Sequence, residues 1–253
     1  MLADERFSKI ISILDEQEYI STKELAKRMN VTETTIRRNC EELEQKGLLV
    51  RVHGGAKSIK KNSILSHTKE CSMDEKIFIH HSEKDKICRK AASFVKDGDC
   101  VFLNGGTSII PILSYLKGKK IKIVTHSSLI ISMFEDPDAE LFAIGGKFVP
   151  EYKMSIGPFT LDALERFNFD HAFLSCAGLD LDRKLVYTAE IDTMAVKKKA
   201  MQLSTRSYLL VDSSKYAVKG FCSFINTDDF EAIISDKNPK IDEERILENF
   251  ILV

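Results

Sequence analysis

The sequence predicts an α/β protein in two parts. A small winged helix-turn-helix domain occupies residues 1–57, a linker follows at 58–76, and a larger α/β domain with a mainly parallel sheet fills 77–253. Three observations carry this. Helical apolar stripes crowd the first 45 residues and run into a short β-like stretch with a Gly-Gly turn. Beyond about residue 84, helix-period and strand-like runs alternate. Each of those strand-like runs stops in small or polar residues.

In chain order, Phe7, Ile10, Ile11 and Leu14 recur at i, i+3, i+4, i+7 and give the first helix a buried face. Ser21 stands as N-cap with Glu24 three residues on, the spacing of a capping box, before a helix that buries Leu25 and Met29. Asn30 and Val31 form a tight turn, and Thr32 caps a third helix. Ile36, Cys40 and Leu43 line one face of it, so Thr34, Thr35, Arg37, Arg38 and Glu41 point elsewhere. Gly47 stops this helix. "LLVRVHGGA" then reads as a wing that carries Arg51 and His53.

Helix, helix, tight turn, helix and wing is the arrangement that lays its third helix in the DNA major groove. Arg37 and Arg38 lie about one turn into that helix, where cations oppose the macrodipole. The placement makes sense if the counter-charge is a phosphate or a guanine edge. From Lys46 to Lys61 there are five cations and no Asp or Glu. The expected partner is double-stranded operator DNA, contacted by Ser21, Thr32, Thr34, Thr35, Arg37, Arg38, Arg51 and His53. Palindromic operators are read by dimers or tetramers, although no heptad zipper is visible.

Composition narrows the field. Net charge is −1, with 43% hydrophobic and 30% charged residues, as in an ordered globular chain. No apolar run approaches the roughly 20 residues of a membrane span, and the N-terminus lacks the apolar core of a signal peptide. The reading is an intracellular, cytoplasmic protein. Cysteines 40, 71, 88, 100, 176 and 222 form no Cys-x-x-Cys pair and no cluster with histidine, so free thiols and no metal are expected. No cofactor is implied.

In the larger part, helices are expected at 84–96, 109–117, 128–134, 159–167 and 190–204. Strands are expected at "CVFL", "IKIVT", "ELFA", "HAFL", "YLLV" and "AIIS". Ligands of open α/β sheets sit outside the carboxyl ends of the strands. The strand-end residues are therefore the expected binding set: Asn104, Gly105, Gly106, Thr107 and Ser108; Thr125 and His126; Gly145 and Gly146; Gly178 and Asp180; and Lys215. "NGGTS" has the make-up of a phosphate cradle, since glycines admit a close backbone and hydroxyls add donors. It is neither a Walker A loop nor G-x-G-x-x-G, so a nucleotide is not expected.

"STKELAKRMNVTETTIRRNCEELEQKGLLVRVHGGA" closely resembles the N-terminal domain of DeoR-family bacterial transcription regulators. It departs at Thr32, Asn39 and Cys40, where that family most often has Ser, Asp and Leu. "KDGDCVFLNGGTS", "KIVTHS", "IGGKF", "FDHAFLSCAGLD", "AVKKKAM" and "LLVDSSKY" resemble the family's effector domain, which is related to ribose-phosphate isomerases. Asn104 replaces a frequent aspartate and His126 a frequent asparagine. Glu190 and Lys198 match acidic and basic family positions. The resemblance implies a phosphosugar-isomerase-like domain without enzymatic activity, and a repressor of carbohydrate genes controlled by a phosphorylated sugar. The competing reading is a sugar-phosphate isomerase with an accessory DNA-binding domain.

Overall fold

The computed structural model describes residues 3–17, 19–45, 48–52, 54–58, 73–216, 218–237 and 248–253. The chain divides into two compact units. The described part of the first comprises residues 3–58 and 73–82; that of the second begins at Glu83. No described helix is long and apolar enough to cross a membrane.

In the first unit, helix α1 (Ala3–Gln17) buries Phe7, Ile10, Ile11 and Leu14, as the stripe requires. A three-residue strand, β1 (Tyr19–Ser21), leads into α2 (Thr22–Met29). Ser21 caps α2 by accepting from the Glu24 N–H at 3.1 Å, while the Glu24 carboxylate bonds Arg28 one turn on. Asn30 takes the left-handed conformation (φ 52°) that makes the turn possible. Thr32 caps α3 (Glu33–Gln45) by accepting from the Thr35 N–H at 3.2 Å. Ile36, Cys40 and Leu43 are buried on α3 together with Asn39, whose Oδ1 accepts from the Arg6 guanidinium at 3.0 Å.

The wing is β2 (Val50–Val52) antiparallel to β3 (Gly55–Lys57), and β3 pairs also with β1. β1 is absent from the sequence reading because three residues carry too little alternation to register. Gly55 permits this lacing: a Cβ there would lie 2.4 Å from the Ile20 carbonyl oxygen. Gly47, His53, Lys60, Lys61, Cys71 and the strand expected near Ile64 and Leu65 lie outside the described residues. Helix α4 (Met73–Lys76) falls within the stretch read as linker. Its Met73 is buried, and Ile79 packs against the core of the first unit.

Helix α5 (His81–Ala92) starts at the end of the first unit and runs on into the second. Then follow β4 (Cys100–Leu103), α6 (Ile112–Leu116), β5 (Lys122–Thr125), α7 (Ser128–Met133) and β6 (Glu140–Ala143). A hairpin, β7 (Lys147–Val149) and β8 (Met154–Ile156), precedes α8 (Pro158–Leu164) and β9 (Phe169–Leu174). The rest is β10 (Gly178–Asp180), β11 (Leu185–Thr188), α9 (Ile191–Gln202), β12 (Ser204–Leu210), β13 (Cys222–Asn226), β14 (Ala232–Ser235) and β15 (Phe250–Leu252).

Seven strands form one sheet in the order β15-β14-β12-β9-β4-β5-β6, every pairing parallel. A core lies on each face: Ile87, Ala91, Ile123 and Ile130 on one, Phe102, Leu164, Phe169 and Val196 on the other. Burial on both faces explains the unbroken apolar runs. Counted along the chain, the strand order is 3-2-1-4-5-6-7, and it reverses between β4 and β9. A doubly wound sheet opens its crevice beyond the carboxyl ends at that reversal. The β7–β8 hairpin and the antiparallel sheet β10-β11-β13 are additions the sequence reading did not contain.

Candidate functional site

The crevice between β4 and β9 is lined by the residues that end those strands. The Asn104 N–H donates to the Phe173 carbonyl at 3.1 Å, and Asn104 Oδ1 accepts from Ser175 Oγ at 3.1 Å. Asn104 Nδ2 lies 3.3 Å from His126 Nε2, and His126 Nδ1 lies 2.7 Å from the Ser155 carbonyl on β8. A carbonyl only accepts, so Nδ1 carries the proton and Nε2 accepts from the Asn104 amide. Burial pushes the His126 pKa down to about 4, against an upward pull from the Ser155 bond. The crevice floor is thus a neutral, directional chain: Ser175 to Asn104, Asn104 to His126, His126 to Ser155.

Above it runs Asn104–Ser108. A Cβ on Gly105 would meet the Met154 side chain, and one on Gly106 would lie 1.8 Å from Ser175 Oγ. The loop therefore runs close against the Met154 and Ser175 side chains at both glycines. Lys84 Nζ donates to Thr107 Oγ1 at 3.3 Å, and Lys215 Nζ donates to Ser108 Oγ at 3.0 Å. Lys215 also lies 3.7 Å from Asp212 Oδ2. The Cys88 thiol donates to the Ser108 carbonyl at 3.0 Å and holds the loop from α5. Two ammonium groups thus converge on the hydroxyls of one glycine-bearing loop.

The remaining expected residues hold this arrangement up. Thr125 Oγ1 donates to the Leu103 carbonyl at 2.8 Å and ties β5 to β4. Gly145 accepts from Thr160 Oγ1 at 3.0 Å, and a Cβ on Gly146 would lie 2.0 Å from that same oxygen. Gly178 passes so close to Val218 that a Cβ would sit 2.0 Å from its carbonyl oxygen. Asp180 accepts from the Arg183 N–H at 3.0 Å and shapes the β10–β11 turn. Glu190 is the N-cap residue of α9, and its carbonyl accepts from Thr193.

Lys198 lies on the exposed face of α9. Its neighbour Lys197, 100° round the helix, is buried, with Nζ donating to Thr188 Oγ1 at 3.1 Å and lying 5.7 Å from the centre of the Phe224 ring. Lys84 and Lys197 went unread, yet a signal existed for each. Lys84 shares a buried i, i+3, i+4, i+7 stripe with Ile87, Cys88 and Ala91. Lys197 shares one with Thr193, Val196 and Ala200. A lysine on the apolar stripe of a helix is the mark of an internal site.

On the first unit, α3 presents Thr34, Arg37 and Arg38 to solvent. Glu33 lies 3.7 Å from Arg37 one turn away, an exposed pair of small energetic weight. Arg38 has no ion-pair partner among the described residues. Arg51, expected at the DNA, also has partners within the protein. Its guanidinium meets Glu44 at 3.0 Å and Glu41 at 3.6 Å, and its N–H donates to Glu44 at 2.8 Å. Arg51 therefore fastens the wing to α3, and its charge is largely met within the protein.

Residues 79–237 match the DeoR C terminal sensor domain, and residues 6–62 match the DeoR-like helix-turn-helix domain. The chain belongs to the DeoR family. It is a DNA-binding transcriptional regulator with a C-terminal sensor domain, not an enzyme. Among curated DeoR relatives, the uncharacterized HTH-type transcriptional regulator FruR of Bacillus subtilis is 31% identical over 93% of this chain and 92% of its own length. The lactose phosphotransferase system repressors of Streptococcus mutans and Staphylococcus aureus (strain N315) are 30% and 29% identical, over 93% and 96% of this chain and 93% and 94% of theirs. Among solved structures, the ribose 5-phosphate isomerase of Plasmodium falciparum is similar over 55% of each chain, with a TM-score of 0.40 and 14% identity.

Proposed function

We propose that this DeoR-family regulator represses a carbohydrate-utilisation operon and that a phosphorylated sugar, bound in the β4–β9 crevice, controls its grip on the operator. The observation that carries the reading is the convergence of Lys84 and Lys215 on Thr107 and Ser108. A buried and a half-buried ammonium group beside close-approach glycines suit a phosphate. The lactose phosphotransferase repressors among its relatives support a carbohydrate operon. Operator contact falls to α3, with Arg37 and Arg38 at its exposed start, and the chain acts inside the cell as a dimer or tetramer on a palindromic site. An isomerase would need a free base, whereas both ring nitrogens of His126 are engaged and Asp180 is committed to its turn.

Control requires that the sugar bind the DNA-competent and DNA-released states unequally. The usual coupling of about 1–3 kcal/mol shifts operator affinity by about 5–150-fold. A thermal-shift screen of phosphorylated sugars and their unphosphorylated parents identifies the ligand. Operator binding is then titrated with and without it, for wild type and Gly106→Asp. The variant fills the cradle with bulk and like charge, so it is expected to bind operator normally and ignore the sugar. A variant that responds as fully as wild type refutes the cradle.

A further inference from the structure

We propose that Lys197 receives a second anionic group of the effector, so that the ligand is a sugar bearing two acidic groups, a bisphosphate or a phosphorylated sugar acid, rather than a simple sugar monophosphate. This rests on the phosphosugar reading above and narrows its ligand class.

The Lys197 side chain is drawn into the protein on the apolar stripe of α9, and the residue is 6% exposed. Its ammonium donates to Thr188 Oγ1 and faces the Phe224 ring. Neither partner carries a charge, and no carboxylate lies within ion-pair distance of it among the described residues. Buried charges are as a rule paired, because the lost hydration must be replaced. Lys197 is tied to the same crevice: two residues beyond Ser175 of the floor, the Ala177 N–H donates to the Tyr187 carbonyl at 2.9 Å, and the next residue, Thr188, holds Lys197; its charge is also felt at His126.

The strand-end region thus carries three ammonium groups, Lys84, Lys197 and Lys215, of which Lys215 has Asp212 beside it. Lys84 and Lys215 already serve one loop, and a single phosphate there satisfies them. Lys197 stands on the other side of β9, held by the β11 strand end, and is left without an anion. A ligand with a second acidic group supplies it. Burial, opposed by Cys176 and reinforced by Lys215, brings the Lys197 pKa down to about 8. Bound anion would hold the proton on. The groups that face it are Cys176, Lys215, His126, Thr188 and Phe224. Burial raises the Cys176 thiol and lowers His126, which keeps both neutral near pH 8.

The test is calorimetric titration of the full chain at pH 7 with fructose 1,6-bisphosphate, 6-phosphogluconate, fructose 6-phosphate and fructose. Wild type is expected to bind one of the two doubly acidic ligands about tenfold or more tighter than fructose 6-phosphate. Lys197→Met should abolish that preference and leave fructose 6-phosphate within about threefold of wild type. Lys84→Met should weaken all three phosphates alike, which checks the phosphosugar reading separately. A second measurement needs no variant. At pH 8, in two buffers of different ionisation enthalpy, binding of the doubly acidic ligand should be accompanied by proton uptake at Lys197 and binding of fructose 6-phosphate should not, since sugar phosphates are already fully ionised there. Equal affinity for singly and doubly acidic sugars, equal losses for both in Lys197→Met, or no proton uptake overturns the assignment of Lys197. If none of the phosphorylated sugars binds, the phosphosugar reading falls with it.

Discussion

Asn104→Asp isolates the floor of the crevice. The new carboxylate keeps the bond from Ser175 Oγ and loses the donor that Asn104 Nδ2 offers to His126 Nε2 at 3.3 Å. With His126 neutral, two acceptors face each other in a fully buried site, at a cost of about 1–3 kcal/mol. The escape is to protonate His126. Its pKa of about 4 lies three units below pH 7, so charging it costs about 4 kcal/mol in the wild-type setting, and less with a carboxylate beside it. The expected loss at pH 7.5 is about 2–3 kcal/mol, or roughly 4–12 °C in Tm.

The pH dependence has a definite sign. In wild type the folded His126 pKa lies below its ordinary 6.5, so the unfolded chain takes up the proton first. Stability from this residue is complete above about 6.5 and drains away as pH falls toward about 4. In Asn104→Asp the folded pKa rises, so that drain shrinks or reverses and the gap to wild type narrows from pH 8 to pH 5. Thermal unfolding across that range, with the His126 ring followed by NMR, measures both effects. Adding His126→Asn restores an amide donor opposite the carboxylate and should recover most of the loss at pH 7.5. An Asn104→Asp variant as stable as wild type at pH 7.5, with His126 still neutral, refutes the hydrogen-bonded floor.

Arg38→Ala should weaken operator binding by about 1–3 kcal/mol if the side chain reads a guanine; if it holds a phosphate, the loss is uniform across sequences and the salt slope drops by about one. Titrations on specific and scrambled duplexes at several salt concentrations separate these, and unchanged binding for both Arg37→Ala and Arg38→Ala removes α3 from the interface. Gly178→Ala places a Cβ against the Val218 backbone, which has no side chain to swing aside, so a loss of about 1–3 kcal/mol in thermal unfolding is expected. Glu44→Ala should change global stability by less than about 1 kcal/mol, since its pair with Arg51 is about 40% exposed, yet it should speed amide exchange at Arg51. Fold and operator affinity should survive strong reductant and chelator; loss of either would reveal a metal or disulfide site.

What the sequence disclosed follows from where each side chain spends its energy. Helices α1 to α3 were legible because each buries a stripe at helical spacing and two are announced by hydroxyl caps, Ser21 and Thr32. Strands β4, β5, β9, β12 and β14 were legible because burial on both faces makes them continuous apolar runs. β1, β10 and β11 were not: they are three or four residues long, and Gly178 and Asp180 carry turn chemistry within β10 itself. In the crevice, Asn104–Ser108, His126 and Lys215 were read from their strand-end positions. Lys84 and Lys197 escaped because charge on a helix is taken as solvent-facing by default, and Arg51 was assigned outward because its carboxylate partners lie on a different element.

The chain of donors along the crevice floor also constrains inheritance. Each of its members gives to the next in a fixed direction, so a single replacement at Asn104 or His126 strands a buried donor or acceptor, whereas exchanging both together can be nearly neutral. In this protein the two residues touch, Asn104 Nδ2 lying 3.3 Å from His126 Nε2. Lineages that change one without the other must pass through a weakened intermediate. Among sensor domains of this kind, the two positions are expected to vary as a linked pair, and anyone grafting a new ligand preference into the crevice will need to move them in one step.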